Sequence, residues 1–120
     1  MRAFLRSFGY AFEGIAYTVR TQRNARVHLL IGALVVLAAV YFRVSAAEWA
    51  ILSLAFGMVF SAEMINTVAE LSVDLLTQRR HPLAKAAKDV STGAVLVTAL
   101  AAVGVGIAIF GPRLWALLFH

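Results

Sequence analysis

"GAVLVTALAAVGVGIAIFG", residues 93–111, runs for 19 residues without a charged side chain. About 20 apolar residues in a helix cross a hydrocarbon layer roughly 30 Å thick, so this stretch predicts a membrane-spanning helix. Two less uniform apolar runs precede it. Residues 29–42 give 14 uninterrupted apolar positions and reach spanning length only as 27–47, with the Arg43 side chain stretched toward the surface. Residues 49–62 are apolar and continue to Leu76 with one polar face. The whole chain of 120 residues is 62% hydrophobic and 14% charged, against roughly 25% charged in soluble domains. One domain with three spans, over 27–47, 49–76 and 89–111, is the expected all-α membrane fold.

Ahead of the spans, Phe4, Phe8, Phe12, Ile15 and Val19 recur three or four residues apart, with Arg2, Arg6, Glu13 and Arg20 elsewhere around the helix. Residues 1–24 therefore read as an amphipathic helix lying on the membrane surface. A cleaved signal sequence is the competing reading, since a basic start, an apolar core and "SAA" before Glu48 fit its outline; the long preamble and the later spans argue against it. Arg2, Arg6, Arg20, Arg23 and Arg26 lie before the first span, and Arg79, Arg80, Lys85 and Lys88 lie between the second and third. The positive-inside rule puts both groups on the cytoplasmic side of a cell membrane and the Arg43/Glu48 turn outside, with Trp49 and Trp115 near the outer ends.

The net charge of +5 sits on no soluble basic domain, so nucleic acid is not an expected partner. No cysteine is present, which excludes thiolate catalysis and thiolate metal sites. Gly104 and Gly106 lack the spacing and the preceding strand of a dinucleotide fingerprint; close helix packing explains them.

The chemistry concentrates in "SAEMINTVAELSVD", residues 61–74. Glu63, Asn66, Glu70 and Asp74 are spaced by three, four and four residues and so share one helical stripe near the cytoplasmic end of the second span. A carboxylate deep in a bilayer costs at least about 2.5 kcal/mol unless it is paired, hydrated or metal-bound. "HPLAKAAKD", residues 81–89, brings Lys85, Lys88 and Asp89 to the same side. Carboxylates and an amide oxygen suit Mg²⁺ together with substrate phosphates, a lysine serves as a point charge for those phosphates, and a remaining carboxylate can act as general base toward an alcohol. Phosphoryl transfer asks mainly for positioning and charge stabilisation, so no P-loop is required. A purely structural account is also open, with Glu63 and Asn66 as an interhelical hydrogen-bonded pair and Glu70 or Asp74 paired with Lys85 or Lys88. An ion pathway is disfavoured because one helix supplies the whole stripe. His28 and His81 read first as residues at helix starts and loops, not ligands.

"FGYAFEG", "RNARVH", "EMINTVAELSVD" and "HPLAKAAKDVSTGAVL" together resemble the small integral-membrane lipid kinases of bacteria, the diacylglycerol and undecaprenol kinases, with "RNARVH" and "HPLAKAAKD" closer to the undecaprenol branch. The resemblance implies a homotrimer with active sites shared between subunits. It implies Glu63 as general base supported by Asn66, Glu70 and the residue at position 22 on Mg²⁺, and Lys88 on the phosphates of the co-substrate ATP. Asp74, His81 and Asp89 fall among the nucleotide-binding positions, and Gly9 and Tyr10 in the surface-helix segment bordering the nucleotide. The expected reaction is ATP-dependent phosphorylation of a membrane lipid alcohol, undecaprenol first and diacylglycerol as runner-up. One departure stands out: Gln22 occupies the position where the family carries a metal-binding Glu. It leaves a third reading open, a weakened enzyme or non-catalytic membrane scaffold.

Overall fold

A computed structural model describes residues 1–119 as four helices: α1 (Arg2–Thr21), α2 (Arg23–Phe42), α3 (Ala46–Leu76) and α4 (Pro82–Leu118). Of these, α2, α3 and α4 are long and apolar enough to cross a membrane. α2 stops at Phe42 instead of continuing to residue 47, and the reason is local. Arg43 adopts φ 52°, in the left-handed region, and the Val44 N–H returns to the Ala39 carbonyl at 3.2 Å, closing the helix. Ser45 then opens α3 with a capping box: its Oγ accepts from the Glu48 N–H at 3.1 Å, and Glu48 Oε1 accepts from the Ser45 N–H at 2.9 Å.

Glu48 does more than cap. Its two carboxylate oxygens receive both terminal nitrogens of Arg113 on α4, at 2.7 and 2.8 Å, a bidentate pair that ties the start of α3 to the end of α4. Arg113 Nη1 also donates to the Ile109 carbonyl at 2.6 Å, in the stretch of α4 that Pro112 interrupts. At the other end, α4 starts at Pro82, earlier than residue 89, because proline suits the first turn of a helix and His81 caps it.

α3 and α4 pack along each other most extensively, α2 lies against α3, and α1 touches both α2 and α3. With 31 and 37 residues, α3 and α4 are about 46 and 55 Å long, well beyond the roughly 30 Å of a bilayer core. The surplus forms an antiparallel hairpin around residues 77–81. The interior is divided in kind. Toward the Arg43–Ser45 turn it is apolar, with Ala39, Val44, Ile109 and Phe110 buried against Trp49 and Leu52. Toward the α1–α2 junction the buried residues include Thr18, Glu63, Asn66 and Thr67.

The glycines at 104 and 106 meet nothing within 4 Å in this chain; the close approach is elsewhere, at Gly32, where an added Cβ would fall 2.7 Å from the Phe56 ring. Gly32→Val is therefore expected to destabilise the α2–α3 contact by about 1–3 kcal/mol, the usual cost of overpacking. Thermal unfolding in detergent would read this as a lowered midpoint, and an unchanged one would mean the ring simply moves aside.

Candidate active site

The 3.6-residue period of α3 turns its four polar positions toward α2 and α4, and they meet quite different partners. Glu63 is 1% exposed and is the largest fully buried side chain among the described residues. Across from it, His28 Nε2 on α2 lies 3.4 Å from Glu63 Oε1, and that oxygen accepts no hydrogen bond. A buried carboxylate oxygen left unsatisfied costs well over what an ordinary hydrogen bond returns. One turn on, Asn66 uses both ends of its amide: Oδ1 accepts from Ser91 Oγ of α4 at 2.7 Å, and Nδ2 donates to Glu70 Oε1 at 3.3 Å. Thr67 Oγ1 donates to the Glu63 carbonyl at 2.8 Å. At the end of the stripe Lys88 Nζ donates to Asp74 Oδ1 at 2.7 Å, and Lys85 Nζ to Asp89 at 2.6 Å, both pairs open to water.

Of the two structural pairings open from sequence, Asp74 with Lys88 is formed, whereas Asn66 binds Ser91 and Glu70 and not Glu63. The stripe thus grades from a buried, unsatisfied carboxylate to hydrated ion pairs. Its outer part borders a polar cavity of about 1000 Å³ lined by Asp74, Arg79, Arg80, His81, Lys85, Lys88 and Asp89. All four nucleotide-binding candidates from this end of the chain, Asp74, His81, Lys88 and Asp89, gather there. His81 also has a local task, its Nδ1 accepting from the Leu83 N–H at 3.1 Å as the N-cap of α4. Gly9 and Tyr10 lie on α1, exposed, and do not line this cavity.

Gln22 stands between α1 and α2, in extended backbone at φ −110° and ψ 112°, and its N–H donates to the Thr18 carbonyl at 2.8 Å. One turn into α2, Arg26 Nη1 donates to the Val19 and Arg20 carbonyls, both at 2.9 Å, and so fastens the end of α1 to α2. Among the described residues no three His, Asp or Glu side chains gather into a metal cage. Glu70 has one carboxylate oxygen engaged by the Asn66 amide, and no hydrogen bond joins it to Gln22 among the described residues.

A second cavity, apolar and of about 600 Å³, runs between α2, α3 and α4 from His28 past Gly32 and Phe56 to Trp49, with Ala99, Ala102 and Gly106 on its α4 wall.

Residues 9–110 match the family model described as prokaryotic diacylglycerol kinase. The chain belongs to that family. As a diacylglycerol kinase-family member it is a membrane lipid kinase, and the matched residues include those of the polar stripe and the cavity beside it. It is 42% identical to the undecaprenol kinase of Bacillus subtilis over 114 residues, 95% of this chain and 93% of that one. It is 44% identical over 113 residues to a diacylglycerol kinase of Synechocystis sp., covering 93% of this chain and 65% of that protein. It is 29% identical over 97 residues to the diacylglycerol kinase of Pseudomonas aeruginosa, 81% of this chain and 79% of that one.

Three residues of this diacylglycerol kinase-family chain make contacts that spacing along one helix does not reveal: Arg26, His28 and Ser91. In the sequence Arg26 counts among the basic residues before the first span, His28 reads as a helix-start residue, and Ser91 falls within "HPLAKAAKDVSTGAVL" with no role of its own. Each acts across a helix boundary.

Proposed function

We propose that this protein transfers the γ-phosphoryl group of ATP to the hydroxyl of a membrane lipid alcohol, with undecaprenol as acceptor and undecaprenyl phosphate as product. The observation that carries the reading is Glu63: a carboxylate held almost entirely away from water, with one oxygen unsatisfied, at the buried end of a polar stripe whose other end opens on a basic cavity. Such a group is costly to the fold and suits a base that must meet an alcohol arriving from lipid.

In this reading the acceptor hydroxyl donates its proton to Glu63 as its oxygen bonds to the γ-phosphorus; the bond from that phosphorus to the bridging oxygen breaks and ADP departs. Lys88, with Arg79 and Arg80 on the same cavity wall, holds the polyphosphate charge. Asp74 orients Lys88 through their 2.7 Å contact. Asn66, pinned by Ser91, fixes the Glu70 carboxylate two turns from Glu63. Mg²⁺, held by Glu70 and Gln22 with the nucleotide's phosphates, would supply charge neutralisation on the transferring group. α1 lies in the membrane interface with Phe4, Phe8 and Phe12 toward the acyl chains, all three exposed in the single chain. The active site faces the cytoplasm, and three copies assemble so that Gly9 and Tyr10 border a neighbour's nucleotide. Undecaprenol as the acceptor is supported by the likeness to the Bacillus subtilis undecaprenol kinase over nearly its whole length.

The test compares undecaprenol and diacylglycerol as acceptors for purified protein with ATP and titrated Mg²⁺. A higher kcat/KM on undecaprenol is the expected result. A preference for diacylglycerol would move the acceptor assignment, and transfer to neither lipid would favour the non-catalytic scaffold that Gln22 suggests.

A further inference from the structure

His28 is the group nearest the unsatisfied oxygen of Glu63, and it also lines the apolar cavity between α2, α3 and α4. It thus borders both the apolar cavity and the buried carboxylate. Its ring is four-fifths buried, with its Nε2 3.4 Å from a carboxylate oxygen that has no hydrogen-bond partner. At 3.4 Å the pair is about half an ångström longer than an ordinary N–H···O bond, so a small ring movement closes it.

A carboxylate with one free rotor and no fixed partner presents its oxygens in no set direction, whereas one held at a single oxygen offers the other in a defined place. Bases in hydrolytic sites are commonly oriented by a third group in this way. We infer that His28 is a positioning residue for the reaction: its Nε2–H holds Glu63 Oε1 and thereby aims the carboxylate at the acceptor hydroxyl where the apolar cavity meets the polar stripe. The inference rests on the lipid kinase reading for its catalytic meaning, and on the His28–Glu63 contact for its structural one. Arg26, two residues earlier, sets the register of α2 against α1, so the "RNARVH" segment works as one unit: Arg26 fixes the helix and His28 uses its position.

Two measurements test this separately. In protein labelled with ¹⁵N at its three histidines and placed in lipid bilayers, Glu63→Ala is expected to shift the ring nitrogens of His28 and to leave His81 and His120 unchanged; an unmoved His28 signal overturns the contact, whatever the enzyme does. In the lipid phosphorylation assay, His28→Leu is expected to lower kcat by about ten- to a hundred-fold, the loss typical when an orienting partner is removed, with KM for ATP unchanged. His28→Gln, which keeps an N–H donor at similar reach, is expected to recover most of that loss. Equal kcat in wild type and His28→Leu overturns the inference, as does an equal loss in the Leu and Gln variants, which would make the ring a space-filler only. If His28→Leu does not fold, kcat in His28→Gln decides, near wild type supporting the role and a Leu-like loss opposing it. A wild type that phosphorylates no lipid defeats the proposed function while the NMR result still stands or falls alone.

Discussion

Glu63→Gln is expected to lower kcat for lipid phosphorylation by about 10²–10⁴-fold, the range over which a general base contributes, and to leave the fold as stable as wild type or more so. The second half of that expectation follows from the burial. Glu63 is 1% exposed and one of its oxygens is unsatisfied, so the wild-type chain carries the cost of a poorly solvated charge. The isosteric amide removes the charge and keeps the shape. An inactive variant with an unchanged or raised unfolding midpoint in detergent is the signature of a residue kept for chemistry at the expense of stability. A variant that stays active, or one that loses activity only because it no longer folds, would return Glu63 to the structural reading.

The second large effect concerns the cation. Glu70→Gln is expected to lower kcat by about 10²-fold or more and to raise the Mg²⁺ concentration at half-maximal rate, because it removes the one full negative charge from the proposed donor set, whose other protein member is the Gln22 amide. Gln22→Glu acts in the opposite direction. It adds a carboxylate at the α1–α2 junction that Arg26 holds in place through its bonds to the Val19 and Arg20 carbonyls, and the Mg²⁺ midpoint should fall by about tenfold. Titrating Mg²⁺ in both variants and in wild type gives the comparison. A midpoint insensitive to position 22 would remove Gln22 from the metal site and leave Glu70 with the nucleotide phosphates alone.

Much of this architecture is legible in the residues themselves, because lipid imposes a simple rule on composition. The uncharged run at 93–111, the polar periodicity of 61–74 and the clustered basic residues each announce a helix and its polar end. Less visible are the features that depend on a neighbour. The end of α2 is set by the left-handed Arg43, a residue type with no particular preference for that conformation, and by a hydrogen bond from Val44 back to Ala39. His28, at the start of a span, looks like any polar residue at a helix end until α3 brings Glu63 to it. Ser91 has no spacing relation to Asn66, twenty-five residues earlier, and is found only when α3 and α4 are laid together. Gly9 and Tyr10 lie exposed on α1, away from the cavity at the start of α4, and nothing in the single chain gives them a task.

The Glu48–Arg113 clasp lies at the opposite end of the bundle from Glu63, and the distance between them is a fixed length of helix. From Ala46 to Glu63 α3 rises about 26 Å, a little less than the hydrocarbon thickness of a typical bilayer. The clasped end therefore works as an anchor and α3 as a gauge rod: in a thinner membrane the carboxylate would emerge among the headgroups, and in a thicker one it would sink toward the acyl chains unless the helices tilted to compensate. Hydrophobic mismatch would then bear on how dry the Glu63 carboxylate is kept.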